Sequence, residues 1–123
     1  MPVRFLLDEH LRGKPLWHAL RHRQAASGMA FDVVRVGDPP DLPLGSPDPD
    51  VLIWAENQVR ILLSEDRKTM GQYLADHLPA GRTSPGIFVI RRKATVSSVL
   101  QWLELVVADD DPDAWRDRLI FVP

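Results

Sequence analysis

The sequence predicts an α/β domain: a five-stranded, mainly parallel sheet of order 2-1-3-4-5 in a three-layer sandwich. Three observations carry this. Five short apolar runs are continuous rather than alternating, as in strands buried on both faces. The segments between them repeat apolar residues at helical spacing. Strand and helix alternate along the chain, so successive strands are joined by right-handed crossovers, and a doubly wound sheet results.

The runs are Val3–Leu7, Phe31–Val36, Arg60–Leu63, Gly86–Ile90 and Leu119–Val122. The first helix is marked by Leu16, Trp17 and Leu20 after Pro15, a residue suited to a first helical turn. Val51, Leu52, Ala55 and Val59 mark the second, and Met70, Tyr73, Leu74 and Leu78 the third. The fourth has the clearest stripe, through Val96, Val99, Leu100, Leu103, Val106 and Val107. Trp102 and Leu105 fall off that stripe, which predicts a second apolar surface and a homodimer or partner contact through Trp102. Gly37–Asp50 holds five prolines in 14 residues and reads as a stiff loop after the second strand. Asp109-Asp110-Asp111 reads as a solvated break before a short turn over Ala114–Asp117.

The 123-residue length suits one domain, and 45% apolar with 26% charged residues is globular composition. With no cysteine, thiolate catalysis and Cys-ligated metals are excluded. A net charge of −2 argues against a generally basic nucleic-acid coat. No apolar run nears the roughly 18 residues of a membrane span. Met1-Pro2-Val3-Arg4 lacks the layout of a signal peptide, so a cytoplasmic protein is expected.

Order 2-1-3-4-5 makes the first and third strands neighbours at the switch point, where ligands bind beyond the carboxyl ends. The first strand runs into Asp8-Glu9-His10 and the third into Ser64-Glu65-Asp66. Two acids so placed call for a counter-charge, and a hard ion such as Mg²⁺ or Mn²⁺ suits an all-oxygen set. The proline-rich loop can add Asp48 or Asp50. Three carboxylates would make a metal-assisted hydrolytic site. Each acid also has a plainer reading: Asp48 before Pro49, Asp66 before the third helix and Asp8 before the first are all suited to helix capping. Arg12, Lys14, Arg67 and Lys68 flank the acids and suit a polyanion such as RNA. His10 adjoins the acidic pair.

These residues resemble the bacterial PIN-like domain family, a family related to the VapC-type toxin ribonucleases. The similarity lies in Phe5-Leu6-Leu7-Asp8-Glu9-His10-Leu11, Asp32-Val33-Val34-Arg35-Val36, Asp48 followed by Val51-Leu52 and Trp54-Ala55, and Ser64-Glu65-Asp66. Thr69-Met70 and Ser84-Pro85-Gly86-Ile87-Phe88-Val89 extend it, so that it spans nearly the whole chain as one PIN-like domain over 1–123. The resemblance implies a Mg²⁺- or Mn²⁺-dependent endoribonuclease with Asp8, Asp48 and Asp66 at the metal and catalytic positions. Glu9 and Asp50 are further metal candidates, and His10, Ser64 and Thr69 are supporting residues. It also implies RNA as substrate and a small antitoxin protein as partner. Two positions depart from the family pattern. His10 stands where Asn is usual, and Asp66-Arg67-Lys68-Thr69 lacks the second acid of the frequent Asp-x-Asp-Phe.

Two alternatives stand beside the nuclease. One is a catalytically silent PIN-like module that binds RNA or a partner. The other is a response-regulator receiver domain. A receiver requires Thr or Ser after the fourth strand and Lys after the fifth, whereas this chain has Ile90-Arg91 and Val122-Pro123.

Overall fold

Continuous apolar strands set the architecture. In the computed structural model, which describes residues 3–13, 15–27 and 31–122, five strands form one all-parallel sheet. They are β1 (Arg4–Leu7), β2 (Asp32–Arg35), β3 (Ile61–Ser64), β4 (Ile87–Ile90) and β5 (Leu119–Val122), in the spatial order β2-β1-β3-β4-β5. Four helices cover the two faces: α1 (Pro15–Ser27), α2 (Asp48–Gln58), α3 (Met70–His77) and α4 (Val96–Asp109). Phe5, Leu7, Leu63 and Phe88 point into the layer of α1 and α4 and pack with Leu16, Leu20, Leu100 and Leu103. Leu6, Leu62, Ile87 and Val89 point the other way and pack with Val51, Leu52 and Ala55 of α2 and Met70 and Leu74 of α3. All eight strand residues are essentially inaccessible to water, which explains runs with no polar alternation.

β1 and β4 are one residue shorter than their apolar runs and β2 two shorter, β5 matches its run, and β3 shifts by one. Arg60 is not its first residue; its guanidinium is buried and donates to Phe5 O, Asp32 O and Asp32 Oδ1. Val59, expected on the apolar face of α2, instead ends that helix in the left-handed region at φ 54°. It is 40% exposed, because the reversal carries its side chain off the helical stripe. The proline-rich loop gives up its last three residues to the first turn of α2. Gly37, at φ 98°, begins the loop, and the Leu44 side chain folds over it where a Cβ would stand. The acidic run ends α4 as expected, with Asp110 in the left-handed region, but the following 3-10 turn is Pro112–Trp115.

Trp102 differs from the expectation of a second apolar surface. It packs edge-on against Phe88 at 5.7 Å and Trp115 at 5.5 Å between ring centroids, half-buried against the chain's own core. Gly86, at φ 128°, makes this cluster possible: any Cβ there would meet the Trp115 carbonyl oxygen at 2.7 Å. Only Leu105 of the two off-stripe residues is left outward, at 67% exposure.

Candidate active site

Topology brings the acids to one edge. β1 and β3 lie side by side, and the Asp8 N–H extends their pairing by donating to Leu63 O at 2.9 Å. Asp8 is therefore fixed at the switch point, and it is buried. Its Oδ1 accepts from Glu9 N–H at 2.8 Å, and its Oδ2 accepts from the Ser64 hydroxyl at 3.1 Å. The same hydroxyl accepts from Asp66 N–H at 3.0 Å. Ser64 thus stands between the two strand ends, holding the carboxylate of one and the backbone of the other.

Asp66 does not cap α3 as its position before that helix predicts: Thr69 holds the N-cap position and no side chain caps the helix, because Asp66 closes the turn that precedes it. Its Oδ1 accepts from the N–H groups of Lys68 and Thr69, at 3.0 and 2.9 Å, and the Thr69 hydroxyl donates to Oδ2. The Thr69 hydroxyl, opposed by partial burial and helped by the two backbone donors, holds the Asp66 carboxyl below its ordinary value. Asp8 likewise caps the 3-10 turn Glu9–Leu11, not an α-helix.

Asp48 corrects the capping expectation. Pro47 occupies the N-cap position of α2, no side chain caps the helix, and Asp48 is already its first residue. Its carboxyl is half-buried. Burial, then the negative charges of Asp8 and Asp66, push it above its ordinary value, with His10 opposing and Glu9 adding. A helix N-terminus alone would favour the ionised form. Burial and like charge outweigh that dipole and disfavour the ionised form of Asp48. Of the two loop acids, Asp48 faces the site. Asp50 is exposed and lines a separate cleft with Leu44, Pro47 and Trp54.

Glu9 is committed to the loop: its Oε1 accepts from Gly45 N–H, tying the proline-rich segment to the end of β1. Arg12 is committed as well. It donates to Val36 O at 2.9 Å and pairs with Asp38, which also pairs with Arg35. Burial opposes the ionised Asp38, yet the hydrogen bonds and charges of Arg35 and Arg12 hold its carboxyl below the ordinary value. Arg67 and Lys68 are exposed, and among the described residues neither side chain joins an ion pair. Lys14 lies outside the described residues. His10 is exposed beside Asp8 and reaches both Asp48 and Asp66 electrostatically.

Among the described residues, no three His, Asp or Glu side chains are grouped closely enough to hold a metal directly. The donors that do converge are carboxylate oxygens. A Mg²⁺-like ion keeps several of its waters and uses only one or two carboxylates, so this looser set fits a hydrated hard cation.

One buried polar cluster had no signal in the sequence. At the opposite end of the sheet, Glu56 Oε1 accepts from Thr83 N–H at 2.9 Å, and His77 Nε2 lies 3.1 Å from that oxygen and 2.7 Å from Thr83 O. Both neighbours of Nε2 are acceptors, so this nitrogen carries a hydrogen. The cluster joins α2, α3 and the loop before β4 from positions up to 27 residues apart, a separation that spacing rules do not reach. No family model matches the chain, and neither a curated protein nor a solved structure matches it.

Proposed function

We propose that the protein is a Mg²⁺- or Mn²⁺-dependent endoribonuclease of the PIN-like type, acting from the carboxyl edge of β1 and β3. The observation that carries this reading is Asp48. It caps nothing, it is half-buried, and two acids from other elements raise its carboxyl. An arrangement that concentrates like charge without a structural return is the arrangement a cation or a proton-transfer step would use.

Asp8 and Asp48 would hold the ion, with Asp66 contributing through the lone pair of Oδ2 that Thr69 leaves free. When bound, the ion supplies charge neutralisation at the phosphoryl oxygens and makes water more acidic. The chain's own residues do the rest. The Asp48 carboxylate would orient the attacking water and take its proton. Ser64 keeps Asp8 in one orientation. Arg67 and Lys68, exposed beside Asp66, pair with non-bridging phosphate oxygens. The proline-rich loop, tied down through Glu9, forms one wall. Cytoplasmic action and a small antitoxin partner belong to the same proposal, and Leu105 offers an apolar contact for such a partner or for a second copy.

A silent RNA- or partner-binding module is the second reading. It is favoured by Asp66, most of whose acceptor capacity serves its own turn. Cleavage of mixed-sequence RNA in Mn²⁺ by the wild type and by Asp66→Asn separates the two. The nuclease reading expects cleavage by the wild type and its loss in the variant. No cleavage by either protein leaves the silent module.

A further inference from the structure

Register places one exposed aromatic on the same face as the site. Ser64 pairs with Val89, and Val89 with Phe121, so the three side chains lie in one row on the α2–α3 face. Phe121 is two strand spacings, roughly 10 Å, from Ser64. It sits on the edge strand and is 44% exposed. Between it and the acids runs a groove of about 340 Å³ whose walls include Asp66, Arg67, Lys68, Leu74, Leu119 and Phe121. The end nearest the acids is lined by two cations without ion-pair partners among the described residues. The far end is apolar, and the Arg91 guanidinium lies over one face of the Phe121 ring, 5.9 Å from its centroid, leaving the other face as the one a ligand would meet.

We infer that this groove is a subsite for one unstacked base of a single-stranded nucleic acid, with Phe121 as its stacking platform. The inference rests on the nuclease reading and adds the side chain that would hold a base, Phe121. A strand has the same alternation as the groove: anionic phosphates that suit Arg67 and Lys68, and a flat π-face that suits the side of the Phe121 ring away from Arg91. A base paired in a duplex is stacked on its neighbours and presents no free face to Phe121. The groove therefore selects unpaired strands without reading sequence.

The test titrates the wild type, Phe121→Leu and Phe121→Trp with a labelled single-stranded RNA of about 10 nucleotides, in Ca²⁺ in place of Mg²⁺ so that the strand is bound without being cut. An abasic strand of the same length is titrated in parallel. Leu keeps the apolar packing at the sheet edge and removes the π-face, so the fold is retained. Phe121→Leu is expected to bind the intact strand about tenfold more weakly, Phe121→Trp at least as tightly as the wild type, and all three to bind the abasic strand alike. Equal binding of the intact strand by wild type and Phe121→Leu overturns the subsite while leaving the nuclease reading standing. An equal loss by Phe121→Leu on both strands also overturns it, since stacking is then not what was removed. Failure of the wild type to bind either strand overturns the subsite and the nuclease reading together.

Discussion

Ser64 donates its hydroxyl proton to Asp8 Oδ2 across 3.1 Å, and both side chains are buried at the junction of β1 and β3. The Ser64 hydroxyl oxygen in turn accepts from Asp66 N–H, so one hydroxyl serves both strand ends. Ser64→Ala removes a donor from a buried carboxylate and an acceptor from a backbone amide. The expected cost is about 2 kcal/mol, read from urea denaturation as a lower midpoint with an unchanged slope.

Asp66 gives a pH-dependent stability with a definite sign. Its folded value lies below the ordinary 3.8, chiefly through the Thr69 hydroxyl. The stabilisation is therefore complete above 3.8 and disappears as pH falls through the folded value. Asp66→Ala is expected to cost about 1 kcal/mol at neutral pH, the usual worth of a capping carboxylate. Denaturation midpoints of wild type and variant should converge on acidification below 3.8. A gap that does not change with pH would show that the ionised carboxylate is not what stabilises the turn.

Asp48 has the opposite sign. Its value is raised, so the ionised carboxyl is unfavourable at neutral pH and relieved as pH falls. Asp48→Asn is expected to be no less stable than the wild type without a divalent cation. Adding Mg²⁺ at ten times its dissociation constant should stabilise the wild type by about 1.4 kcal/mol and leave Asp48→Asn nearly unchanged. Thermal melts with and without the ion make the comparison.

Arg60 tests the fold rather than the site. Its buried guanidinium bonds to backbone on β1 and β2 and to the half-exposed Asp32. Arg60→Ala leaves two strand-end carbonyls short of a donor and is expected to cost about 2 kcal/mol in chemical denaturation. RNA cleavage at a temperature where the variant remains folded should be unaffected.

The sheet was legible because both of its faces are covered. Runs such as Phe5-Leu6-Leu7 and Ile87-Phe88-Val89-Ile90 have no polar alternation, and that pattern together with helical spacers leads to the observed strand order. Placement of Asp8 and Asp66 at strand ends follows from the same pattern. What periodicity does not register is a change of backbone direction. Val59 fits the stripe of α2 by spacing but belongs to a left-handed helix end, and Asp48 has the sequence context of a cap while Pro47 holds that position. Pairings between distant segments were equally hidden. Arg12 looked like a free cation until Asp38, 26 residues away, was brought beside it. Trp102 looked outward by helical angle, but Trp115 returns to cover it from beyond the end of α4.

Asp48 opens α2 without capping it, and its proposed role is in hydrolysis. The most direct measurement is single-turnover cleavage of mixed-sequence RNA in Mn²⁺ by the wild type and Asp48→Asn, each shown to be folded by its melting transition. The wild type is expected to cleave, and the variant at a rate at least about 100-fold lower. Equal rates, or a wild type that leaves the RNA intact, would contradict that role.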